Sequence, residues 1–155
     1  MHPTQNDLVK ILFRFHSSVL DEETSETLWA KTIDEKNGHY QLDNIPFYAP
    51  LVACDDVVWA VLDEREHMLT YRGTLLPSGN STVQVVMMKK TEEAAAVRAV
   101  FSEMGCESEG MGNGYFVMCI PAWLNYAPVK LKLDQLSASG LLDYAEPLLS
   151  DNHRY

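Results

Sequence analysis

The strongest constraint on this chain is a change of hydrophobic period near residue 80. Before it, apolar residues recur at every second position, as in strands. After it, strand and helix periods alternate in a fixed order. Ser81 to Lys89 place Val83, Val85 and Met87 on one face of a strand. A helix follows, with Thr91 as the expected N-cap and Glu92 and Glu93 complementing the positive end of the helix dipole. Ala94, Val97, Val100, Phe101 and Met104 recur at helical spacing until Gly105 stops it. Cys106 to Met111 and Tyr115 to Pro121 flank Gly112-Asn113-Gly114, a turn that reverses two strands with positive φ. Asn125 to Ser139 form a second helix, with Pro128 in its first turn, Val129, Leu131, Leu133 and Leu136 as apolar surface, and Gly140 as the C-terminal cap. Leu141 to Leu149 supply a last strand. This β-α-β-β-α-β order predicts a ferredoxin-like unit, with right-handed crossovers placing both helices on one face of a four-stranded sheet.

The first 78 residues carry no helical period. In Leu8 to His16, Val9, Ile11, Phe13 and Phe15 alternate with Lys10, Leu12 and Arg14 as a first strand, which the acidic segment Asp21 to Glu26 is expected to break. Thr27 to Ile33 form a second strand, with Leu28 set against Trp29, ended by the turn signal Glu35-Lys36-Asn37-Gly38. A third runs from His39 to Leu42 and stops before Pro46. The apolar run Val57 to Leu62 then pairs with His67 to Leu76 across a charged turn, Asp63 to Glu66. Five strands without a covering helix close most economically into a small barrel or half-barrel. The chain is therefore expected to be α+β, a β-rich domain over 1–78 followed by a ferredoxin-like domain over 79–155, with Pro77-Ser78-Gly79-Asn80 at the boundary.

A length of 155 residues suffices for a core without staples. The start MHPTQNDLVK lacks the pattern of a secretory signal, and no apolar run approaches a membrane span, so a cytoplasmic protein without membrane association is expected. Cys54, Cys106 and Cys119 are an odd number without a C-x-x-C pair, which argues for reduced, buried thiols. The formal charge is −10, and residues 1–78, with 13 acidic and 6 basic side chains, carry −7 of it. Such a field repels phosphates, so no nucleic-acid partner is expected, and it favours a basic protein.

His2, His16, His39, His67 and His153 are scattered, without the spacing of a metal site, and no nucleotide-binding or nucleophile motif occurs. No catalytic residue, metal or cofactor is therefore assigned. Cys54 beside Asp55 and Asp56 has the residue types of a nucleophilic site, but flanking negative charge raises a thiol pKa and makes it less reactive. The acidic residues Asp21, Glu22, Glu23, Glu26, Asp55, Asp56, Asp63, Glu64 and Glu66 all fall in expected turns of the first half, with the aromatic loop Phe47-Tyr48 among them. If those turns share one end of the barrel, they form a surface for a basic partner.

Leu28-Trp29-Ala30, the string from Tyr40 to Phe47 (YQLDNIPF), Asp56-Val57-Val58 and Gly79-Asn80-Ser81-Thr82-Val83 give the chain its resemblance to a bacterial family of unknown function, numbered 4265. The likeness runs over Leu8 to Leu149. It implies no established activity, cofactor or catalytic residue, and the family's small acidic members look like single-domain proteins that partner bacterial toxins. With the acidity and the missing catalytic motifs, this leads to an expected non-enzymatic binding protein, an immunity protein or antitoxin that neutralises a basic toxin such as a nuclease. The alternative is a small enzyme or ligand-binding regulator with a pocket between the two halves, lined by Trp29, Phe47, Tyr48 and Trp59. Either a monomer or a homodimer fits.

Overall fold

The computed structural model describes residues 8–17 and 20–155; His2 and most of the N-terminal stretch considered above lie outside the described residues. It is strand-rich, with nine strands and two α-helices among the described residues, which is the α+β class that the periods predict. Two compact units divide the chain, Met1–Ser78 and Gly79–Tyr155.

In the first unit β1 (Leu8–Ser17), β2 (Glu22–Asp34), β3 (His39–Leu42), β4 (Val57–Asp63) and β5 (Met68–Leu76) follow one another. Each pairs antiparallel with the next. The sheet then closes into a barrel where Ile11 and Leu12 meet Leu69 and Thr70 in parallel. The inward positions are the period-two apolar ones: Ile11 and Phe13, Leu28 and Ala30, Tyr40 and Leu42, Val58 and Ala60. Phe13 stacks on Tyr71 at 4.7 Å between ring centroids. A ring of five strands encloses little space, so the two alanines leave room for the aromatic side chains.

Two expectations for this unit need correction. β2 begins at Glu22, not at Thr27, because β1 continues to Ser17 and pairs with it residue for residue, His16 facing Glu23. Ladder hydrogen bonds along a long hairpin outweigh the weak strand preference of Glu, and Asp21 at φ 50 makes the reversal. Leu12, expected outside with Lys10 and Arg14, is buried. Along β4, Val58 and Ala60 point inward, and Trp59, Val61 and Leu62 stay exposed.

The second unit contains β6 (Ser81–Met87), α1 (Ala94–Glu103), β7 (Glu107–Gly110), β8 (Tyr115–Ile120), α2 (Tyr126–Ala138) and β9 (Leu142–Leu148). Its sheet has the order β7-β8-β6-β9 and is antiparallel throughout. Val83 and Val85 face Met118 and Phe116 across the β6–β8 ladder, and this sheet face carries Val97 and Phe101 of α1 and Val129 and Leu133 of α2. Asn125 caps α2, its side chain accepting from the amide of Ala127 at 3.1 Å. Thr91 does not cap α1. A 3-10 turn over Thr91–Glu93 precedes the helix, with Lys90 in the left-handed region and no side-chain cap. The Thr91 methyl instead lies 2.9 Å from where a Cβ on Gly114 would stand, so that glycine is required both by its φ of +85° and by the approach of Thr91.

All three cysteines are buried thiols outside any disulfide, and burial pushes the Cys106 thiol up to about 11. At pH 8 only on the order of one Cys106 in a thousand is then a thiolate. The native protein is expected to show no fast reaction with a disulfide reagent at pH 8 and three equivalents once urea unfolds it. A rapid equivalent in the native state would contradict this packing.

Candidate functional site

Strand direction sorts the predicted site residues between two ends of the barrel. Because β1 to β5 alternate in direction, the β1–β2 turn and the long loop 43–56 share one end, and the β2–β3 and β4–β5 turns share the other. Asp21, Glu22, Glu23, Glu26, Phe47, Tyr48, Asp55 and Asp56 therefore belong to the first end, and Asp63, Glu64 and Glu66 to the opposite one. The expectation of a single acidic end is corrected accordingly. Glu22, Glu23 and Glu26 also lie on strand β2 and not in a turn.

The carboxylates at the first end have two different roles. Glu26 accepts from three successive backbone amides, Phe47 at 2.7 Å, Tyr48 at 3.1 Å and Ala49 at 2.9 Å. These amides lie between Pro46 and Pro50, where no strand ladder can take them, so the Glu26 side chain supplies the missing acceptors and ties the loop to β2. Asn44 completes the attachment by accepting from the Trp29 amide at 2.8 Å. Asp56 is buried and likewise structural: it accepts from the amides of Ala53 at 3.0 Å and Ser78 at 2.8 Å. Burial pushes its carboxyl upward, against the two amides that hold the charged form. Asp21, Glu22 and Glu23 remain as exposed carboxylates on the hairpin, beside the exposed Leu20. His16 stands between two of them, 3.3 Å from Asp21 and 3.7 Å from Glu23. Phe47 is half-buried, and Tyr48 and Asp55 are exposed.

At the opposite end Asp63 closes its own turn, accepting from the Arg65 amide at 2.9 Å and pairing with Arg72 at 3.8 Å. Glu66 is engaged by Arg14, and Glu64 is exposed. A cleft of about 920 Å³ opens here. Of Trp29, Phe47, Tyr48 and Trp59, the aromatics expected around a pocket between the two halves, Trp59 lines this different cleft. Trp29 instead lies under the Lys10 ammonium at 5.0 Å, and Phe47 and Tyr48 belong to the other end, so these four are not brought together in it.

Two polar clusters in the second unit join residues of different elements; apart from the i,i+4 pair Lys130 and Asp134 on α2, their members are far apart in the chain. Ser81 and His153 are buried, with Ser81 Oγ 2.5 Å from His153 Nδ1 and His153 Nε2 2.9 Å from the Pro121 carbonyl. That carbonyl requires the ring proton on Nε2, so Nδ1 accepts from the Ser81 hydroxyl. A hydroxyl with no exposed surface cannot attack a substrate, and the pair serves to hold the last residues against β6. In the other cluster Lys130 donates to the Tyr144 hydroxyl at 2.9 Å, pairs with Asp134 at 3.4 Å and lies 4.5 Å from the Tyr155 ring centroid. Tyr126 and Tyr155 both donate to Glu146, at 2.6 and 2.7 Å. The Tyr144 hydrogen bond holds the Lys130 ammonium above its usual range. Burial and then Glu146 push the Tyr126 phenol upward, and burial and then Asp134 do the same to Tyr144. Phenols and an ammonium shifted in this direction keep their protons at neutral pH, which suits donors and not general bases. Among the described residues no group of three or more His, Cys, Asp or Glu side chains could hold a metal ion, and no helix is long and apolar enough to cross a membrane.

Comparison with known proteins gives a family and a structural relative. The model of a family described as Domain of unknown function (DUF4265) matches residues 26–144. A crystal structure of a hypothetical protein from Neisseria gonorrhoeae is similar over 97% of this chain and 99% of that one, with a TM-score of 0.77 and 20% sequence identity. At that identity the likeness concerns the fold alone. No curated protein matches.

The division of the carboxylates is testable by denaturation. Glu26→Ala leaves three amides without an acceptor and is expected to lower the unfolding free energy by about 2–3 kcal/mol, while Glu22→Ala stays within about 0.5 kcal/mol. Equal urea midpoints for the two variants would refute the structural role of Glu26.

Proposed function

Because the chain belongs to the DUF4265 family, a membership that brings no activity with it, we propose from its own residues that it is a non-enzymatic protein-binding protein, a bacterial immunity protein or antitoxin that neutralises a basic toxin. The observation that carries this reading is the hairpin bearing Asp21, Glu22 and Glu23, three exposed carboxylates that form no ion pair with a lysine or arginine among the described residues. In a protein of charge −10 such a projection steers a basic partner toward one place. A nuclease toxin suits the reading, since its nucleic-acid groove must be cationic and carboxylates can occupy that groove in place of phosphates.

Phe47 and Tyr48, on the loop that Glu26 fixes, would flank the acidic hairpin as a rigid aromatic contact. The sheet order β7-β8-β6-β9, with two helices on one face, supports reading the second unit as a ferredoxin-like scaffold, and the division at Ser78 supports reading the two units as domains. Three buried thiols outside any disulfide support a reducing cytoplasmic setting.

Co-expression with the product of the adjacent gene, scored by complex formation and rescue from toxicity, tests the reading; neither complex nor protection would refute it. Replacing Asp21, Glu22 and Glu23 together by Ser, with Glu26 kept, is expected to slow association by about tenfold or more at low salt and to leave the melting temperature unchanged. Salt-independent association at the wild-type rate would exclude this hairpin as the docking element.

A further inference from the structure

The cleft at the β2–β3 end of the barrel lies opposite the acidic hairpin and has no part in the reading above. Its volume of about 920 Å³ is in the range of small-molecule sites. Val9, Ala60, Leu69, Trp59, Val61 and Leu62 supply the apolar half of its lining, and Thr32, Asn37 and the Glu35–Lys36 pair belong to the polar half. Trp59, Val61 and Leu62 are 44%, 39% and 60% exposed, apolar surface that folding leaves uncovered at a cavity. Tyr40 also lines the cleft and is only 4% exposed, yet among the described residues no hydrogen bond engages its hydroxyl. That hydroxyl is not sealed off from solvent, since among the described residues no fully buried side-chain oxygen lacks a partner. A nearly buried donor with one open direction is the feature a ligand satisfies. Burial and the neighbouring Glu35 push the Tyr40 phenol upward, which keeps its proton in place.

The rim sets the charge of the occupant. Glu35 and Lys36 stand side by side on it and cancel, so neither an anion nor a cation is favoured. The rim is also stiff. The Ala60 amide donates to the Gly38 carbonyl at 3.0 Å, and the turn sits so close to β4 that a Cβ on Gly38 would come within 2.6 Å of the Ala60 oxygen. We propose that this end of the barrel binds an uncharged small molecule that has an apolar body and a polar edge, through contacts with Trp59, Val61 and Val9, with an oxygen of the ligand accepting from the Tyr40 hydroxyl.

The neutral fluorophore 6-propionyl-2-dimethylaminonaphthalene has an apolar body and a ketone acceptor, and its emission moves to the blue in apolar surroundings. Titrated into the full chain, it is expected to bind saturably at one site with blue-shifted emission. Tyr40→Phe, which removes one neutral hydrogen bond, should weaken binding about five- to tenfold. Val61→Glu, a change at an exposed position, should abolish it. Circular dichroism and melting curves should show both variants folded. The triple Ser variant of Asp21, Glu22 and Glu23 should bind as the wild type does, which separates this site from the acidic hairpin. Absence of saturable binding, or wild-type affinity in Val61→Glu, would overturn the site. Unchanged affinity in Tyr40→Phe would overturn the assigned donor.

Discussion

Five strands that run alternately up and down can close on themselves only if the first and last run parallel. In this barrel that closure is made by a short parallel pairing of Ile11 and Leu12 with Leu69 and Thr70. The rest of the first unit follows from it. Parity decides which turns share an end, so the acidic hairpin and the long loop meet at one rim while the β4–β5 turn goes to the other. Closure also fixes the interior, a narrow space filled by Phe13, Leu28, Tyr40 and Leu42 with alanines between them. Unfilled volume is left at the rim, in the cleft that Val9, Tyr40 and Leu69 line.

The acidity that dominates the composition is used in two ways. Glu26 and Asp56 are consumed inside the protein, where they accept from backbone amides that the loop 43–56 and the segment after β5 cannot pair in a sheet. Charge matters there because a carboxylate accepts several N–H groups at once and strengthens each bond. Asp21, Glu22 and Glu23 accept from no amide among the described residues and lie exposed at the surface. Residues of one type, within a few positions of each other, thus divide into structural acceptors and free surface charge according to which backbone groups lie opposite them.

The regular elements were largely legible, because their signals are local. The alternation of Ile11 with Phe13 and of Val83 with Val85, the Asn125 cap, and glycines at φ +73 and +85 in the turns at Gly38 and Gly114 each act within a few residues. Misreadings came where a distant partner outweighed a local preference. Glu22 to Glu26 became strand because β1 pairs with them, and Thr91 gave up its cap position to pack on the β7–β8 turn. The Ser81–His153 bond joins residues 72 apart, and no spacing rule could have found it.

By itself the sequence determined the α+β class, the burial of the thiols and the sign and location of the excess charge, since these depend on composition and short-range period. The tertiary structure alone decided which carboxylates are available. It placed the Glu26 side chain on three amides more than twenty residues away, enclosed Asp56, and left Tyr40 nearly buried beside an open cleft, its hydroxyl unengaged among the described residues. The reason is physical: hydrogen-bond satisfaction is a property of space, and whether a polar group is free depends on what the closed barrel brings within about 3 Å of it.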